Sequence, residues 1–348
     1  MKSRLLALLL IFIVVLGLVP AVSAQSTTPD LTCLGLAEAD CTLVKEASAN
    51  ATNIKSFEQS FTFSLKIGGL AAMQPGAKDV TVTASGSGPI SIDPANPTGS
   101  LELQGSVEGG DAPQSGTLSA VIADGNLYVK NPKGEWVGAP LSVLGADLNQ
   151  QLSSLPMNPS SASSAADPAA LSKALQQLGL TEEDVTKLIQ TPGFLTHEKL
   201  ADVQVNGVNT SPFAYTIDFA PLFNSPDFDK VVNAIVTEAS KTDPQAAQIS
   251  MFLPLLKQSK AAIKVTQYVS PEDKFVHQFD LDINASVDLS MLMGASGASS
   301  STPASPITID LKFSVALDKI NEPVSVTAPE GAKLATTSEE FNKLYSGS

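Results

Sequence analysis

Apolar and polar residues alternate in strand after strand of this chain, and no other feature constrains its fold as tightly. The clearest run sets Phe57, Phe61, Phe63, Leu65 and Ile67 against Glu58, Ser60, Thr62, Ser64 and Lys66. A period of two belongs to a half-buried strand, one face wet and one dry. Comparable rows recur at residues 80–85, 101–108, 118–122, 213–220, 263–269, 275–289 and 307–317. Asp124-Gly125 and Asn206-Gly207 favour tight hairpin turns between such strands. Leu127, Tyr128 and Val129 form the return strand of the first hairpin. Asn131-Pro132-Lys133-Gly134 then turns the chain again and delivers Trp136, the only tryptophan. Residues 323–326 read as a short closing strand.

Helices are fewer. Leu43, Val44, Ala47, Ala51 and Ile54 give residues 41–54 the spacing of a short amphipathic helix. Asp167-Pro168 opens one running to about Leu178, and Thr181 with Asp184 makes a capping-box start for another. Ser225-Pro226 and Asp243-Pro244 cap two more, and Pro254 should kink or end the second of these. Residues 156–166 and 294–306, rich in Ser, Ala, Gly and Pro, read as loops. The expected class is α+β: a single antiparallel sheet of about ten strands with helices on its concave face. So many strands should curl, bending the sheet into a half-barrel.

Residues 1–24 read as a cleavable export signal. Lys2 and Arg4 precede an uncharged apolar core, and Val22-Ser23-Ala24 supplies small residues for cleavage. A bacterial lipoprotein would carry a cysteine directly after that core, whereas the first cysteine here is Cys33. The rest divides into an extension at 25–40, a main domain at 41–330 and a tail at 331–348. Cys33 and Cys41 are the only cysteines, and in an exported chain they are expected to form one local disulfide.

The net charge of −14 repels nucleic acid and anionic lipid headgroups, and Arg4 is the only arginine. Catalytic equipment is sparse. His197 and His277 are the only histidines, and neither has metal-ligand spacing. His277 shares the alternation of Phe279, Leu281 and Ile283 and is read as buried and hydrogen-bonded, while His197 is read as solvated. No Gly-x-Ser-x-Gly elbow occurs. Asp280, Asp282 and Asp288 with Asn284 share one strand face, where solvated carboxylates are a simpler reading than a calcium site. The Asn-x-Ser/Thr triplets at Asn50, Asn209 and Asn284 are read as chance. The chain is expected to be no enzyme and to need no cofactor or metal.

Several motifs together resemble the mycobacterial-type LppX/LprG lipoprotein family. They are the helix running into the Phe-rich strand, then Gly125-Asn126-Leu127-Tyr128-Val129 ending near Trp136. The hairpin Asn206-Gly207-Val208 into Phe213-Ala214-Tyr215-Thr216-Ile217-Asp218 is similar to the same family, as is Asn321-Glu322-Pro323-Val324 to Ala328-Pro329. The resemblance implies a LolA-like half-barrel over 41–330 whose cavity binds acylated lipids. The chain departs from the family in lacking the lipidated cysteine and in carrying inserts near Pro156 and Gly297.

These readings give an exported or cell-envelope carrier, expected to be a monomer, that holds a lipid or other hydrophobic molecule between sheet and helices. A membrane or envelope protein is the expected loading partner. The cavity-lining residues are expected to be Phe61, Phe63, Leu65, Phe213, Tyr215, Phe279 and Leu281, with Tyr215 and His277 as polar contacts. The competing expectation is an envelope interaction module whose core is closed.

Overall fold

The computed structural model describes residues 33, 35–72, 74, 76–92, 97–109, 113–144, 180–241, 249–288 and 306–347. The expected signal, the helix at 167–178, the Asp243-Pro244 cap and most of the two Ser/Pro-rich loops lie outside them.

The period-two runs all become strands of one sheet. In chain order they are β1 (Ser56–Gly68), β2 (Val80–Ser91), β3 (Thr98–Glu108), β4 (Gln114–Ala123), β5 (Asn126–Lys130) and β6 (Trp136–Pro140). The second half supplies β7 (Leu195–Lys199), β8 (Val203–Val205), β9 (Val208–Asp218), β10 (Lys260–Val269), β11 (Val276–Val287), β12 (Ile307–Asp318) and the two-residue β13 (Lys333–Leu334). The path across the sheet is β13-β6-β5-β4-β3-β2-β1-β12-β11-β10-β9-β7, with β8 paired to β9. Only β13 pairs in parallel. The sheet is curved and does not close, as the alternation predicts, but it has thirteen strands rather than about ten. The additional ones include β7 and β13, each too short to show a period. Residues 323–326, expected to be a strand, are not one. Pro323 lacks the N–H that a ladder requires.

Both expected hairpin turns form with positive φ at each central residue, 52° and 72° at Asp124-Gly125 and 49° and 84° at Asn206-Gly207. That geometry matches the right-handed twist of the flanking strands.

The helices are α1 (Glu38–Asn50), α2 (Glu182–Ile189), α3 (Phe219–Phe223), α4 (Pro226–Ala239), α5 (Ile249–Gln258) and α6 (Ser338–Ser346). The Thr181–Asp184 capping box forms, with each side chain accepting from the other's backbone N–H. Ser225 caps α4, with Pro226 in its first turn. Pro254 lies inside α5, which runs on to Gln258. The disulfide Cys33–Cys41 closes the loop ahead of α1. From α1, Asp40 reaches Lys199 of the edge strand β7 at 3.0 Å, which ties the crosslinked segment to that open edge. At the opposite edge, α6 and β13 dock on β6, and residues of 331–348 enter the core through Ala335 and Phe341.

Candidate functional site: the inner face of the sheet

Strand pairing puts the odd-numbered side chains of β1, β9, β10, β11 and β12 on one face with the even-numbered ones of β2. We call this face inner because the three apolar clusters gather on it. The outer face is polar. There Asp280 accepts from Tyr268 (2.7 Å), Ser314 (2.6 Å) and Gln278 (2.9 Å). Burial and then the Asp280 carboxylate push the Tyr268 phenol up, above its ordinary value. Asp280 is therefore a partner in a side-chain network, and Asp282 lies 3.5 Å from Lys312. Among the described residues no group of His, Cys, Asp and Glu could hold a metal ion.

The inner face changes along the strand direction. At its base, Val44 and Ala47 of α1 pack on Phe213 and Val269. Ile54, Phe57 and Ile90 form a second closed cluster with Leu317, Phe275 and Ile320 against it. Towards β6, Phe61 and Phe313 join Leu101, Leu103, Leu118 and Val137 under Phe341 of α6. Phe63, Phe279, Leu281 and Leu311 pack against that cluster while staying half-buried.

One row nearer the rim, the side chains become less buried. Leu65 faces Val82 on one side and Leu311 on the other. The row continues through Ile283, Ile263 and Ile217 to Leu195, and ends across the sheet at Val107. Eight strands each contribute one aliphatic side chain to this row, and none of the eight is buried. Seven interstrand steps make the row roughly 34 Å long. Rimward of it, Val80, Ile67, Ile309, Ala285 and Ala261 repeat the pattern, with Ile309 40% exposed. A strand face normally hides such residues under helices. Here α3, α4 and α5 stand at the rim end of β9–β11. Phe219 and Phe223 of α3 and Phe228 of α4, with Phe194 just ahead of β7, form a chain of half-buried rings spaced 5.3–5.8 Å apart. Ile235 of α4 and Leu256 of α5 are exposed.

The expected lining residues thus share one face but separate by depth. Phe61 and Phe213 are buried in closed clusters, whereas Phe63, Leu65, Tyr215, Phe279 and Leu281 are half-buried and border the open row. His277 is buried, and its Nε2 lies 2.8 Å from Asp273 in the turn between β10 and β11. His197, expected to be solvated, instead faces Tyr215 across β7 and β9, with ring centroids 4.3 Å apart and edge to face. Burial pulls its imidazole below the ordinary value, which keeps it neutral near pH 7. The sequence hides this because β7 is five residues long and reads Leu-Thr-His-Glu-Lys, with a single apolar residue.

No family model matches the sequence, and no curated protein does either. Among solved structures, lipoprotein LppX of Mycobacterium tuberculosis aligns over 82% of this chain and 97% of its own, at 13% identity and TM-score 0.31. LprF from Mycobacterium bovis aligns over 83% and 96%, at 13% identity and TM-score 0.29. Lipovitellin aligns over 80% of this chain but 26% of its own, at 8% identity and TM-score 0.29. The functional reading rests on the chain's own inner face.

Proposed function

We propose that this protein is an extracytoplasmic, non-catalytic carrier that holds a lipid or other hydrophobic molecule against the inner face of its sheet. The aliphatic row spanning eight strands carries this reading, because it is continuous, apolar and left partly open to water. Burying an acyl chain there gains about 0.8 kcal/mol per methylene, so a chain of about sixteen carbons gains on the order of 12 kcal/mol gross. Phe63, Leu65, Tyr215, Phe279 and Leu281 border the guest. Phe61, Phe213 and His277 form the base beneath it. The disulfide fits an oxidising compartment, and no described helix is long and apolar enough to cross a membrane.

Native mass spectrometry of gently purified protein tests the reading. A co-purifying lipid, or stoichiometric uptake of a fluorescent fatty-acid probe, is the expected result. A clean apo mass with no uptake would sink it. The competing closed-core module is favoured by one observation, the packing of Phe63, Phe279 and Leu281 against the Phe61 cluster. A row that excludes every probe would establish that alternative.

A further inference from the structure

Among the described residues, three buried side-chain nitrogens on or beside the inner face have no hydrogen-bond partner: Gln59 Nε2, His277 Nδ1 and His197 Nδ1. An unmade hydrogen bond in such surroundings is costly, so each calls for a reason. Gln59 is walled in at the base by buried Phe57 and Phe61. His277 is fixed through its other nitrogen to Asp273. His197 differs in position. It lies one step from Leu195 and Ile217, where the open aliphatic row ends, and Tyr215 beside it marks the limit of the cluster that α1 seals.

Resting on the carrier reading, we propose that His197, its ring held by Tyr215, receives the hydrogen-bonding head of an uncharged acyl lipid whose tail lies along the aliphatic row. The charges around His197 select against an anionic head. Lys199, two residues along the same strand face, is engaged by Asp40 at 3.0 Å. A neutral imidazole adds no positive charge, and the chain as a whole carries −14. A hydroxyl or ester can exchange a hydrogen bond with a neutral imidazole without stranding a carboxylate in an apolar site. The edge-to-face contact with Tyr215 fixes the imidazole plane, so the head is met by a preset donor or acceptor rather than a rotating one.

The test compares monoolein, oleic acid and octadecene as competitors of N-phenyl-naphthylamine on the full chain. Monoolein should bind about five- to tenfold tighter than octadecene and tighter than oleic acid, a margin equal to one net hydrogen bond. His197→Phe should remove that margin while leaving octadecene unchanged, and His197→Gln should keep most of it. In the unsubstituted protein, the His197 imidazole nitrogen resonances should move with monoolein and stay put with octadecene. That readout needs no variant to fold. Equal monoolein affinity in the wild type and His197→Phe, or silent resonances, overturns the assignment. Preference for oleic acid overturns the uncharged head. If none of the three competes, the carrier reading itself falls and this assignment with it.

Discussion

At the base of the inner face, α1 sets Val44 and Ala47 on Phe213 and Val269, and all four are at most 1% exposed. At the rim, α4 and α5 are at least as apolar, yet none of their described side chains is buried. Both ends carry ion pairs and apolar contacts, but they differ in how completely apolar contact closes them. The base is closed by apolar contact. The rim helices are linked to one another by ion pairs, Lys230 to Asp184 at 2.6 Å and Lys257 to Asp229 at 2.7 Å. Apolar burial of this completeness is worth kilocalories per residue, whereas ion pairs whose lysines stay in water contribute less and weaken in salt. The same sheet therefore has one end built to stay shut and one that can part at low cost.

Matched truncations break or sharpen that contrast most directly. Phe213→Ala should cost about 3–5 kcal/mol in urea unfolding, the range for a fully buried phenylalanine. Removing the crosslink with Cys33→Ser and Cys41→Ser should cost about 2–3 kcal/mol, the chain-entropy value for so short a loop. Ile283→Ala, in the open row, should cost only about 1 kcal/mol in the lipid-free protein and more when lipid is present. If Ile283→Ala and Phe213→Ala cost the same without lipid, the row is packed and the contrast disappears.

The smallest effect concerns acid. The hydrogen bond from Lys230, then those from Thr181, hold the Asp184 carboxyl well below the usual carboxylate range. A lowered folded-state value contributes stability that is present above the ordinary carboxylate pKa and is lost as pH falls below about 4. Amide exchange in α2 and α4 should accelerate over that range while α1 stays protected. Asp184→Asn should leave the two helices equally labile at either pH. Uniform exchange across all three helices would show that the rim is not a separate unit.

What the sequence revealed follows from how far each signal extends along the chain. β1, β11 and β12 carry ten or more alternating residues, so their faces and approximate limits could be read directly. Asn206-Gly207 fixed a turn because few residue pairs tolerate two consecutive positive φ values. β7 escaped notice because one leucine in five residues shows no period, and with it went the placement of His197. The difference between Phe213 and Leu65 was equally hidden. Both are apolar positions in alternating strands, and only the position of α1 in space decides which one is sealed.

The order of strands also bears on how the protein can be made. β1 lies between β2 and β12, so Glu58 waits for Asp318 and Gly68 for Thr308. A chain synthesised from its N-terminus completes the β2–β6 meander early, while one margin of β1 stays bare until nearly the last strand emerges. Pairings of such sequence separation form slowly, and a bare strand margin attracts other chains. Pauses in synthesis should therefore aggregate the nascent protein before they unfold the finished one.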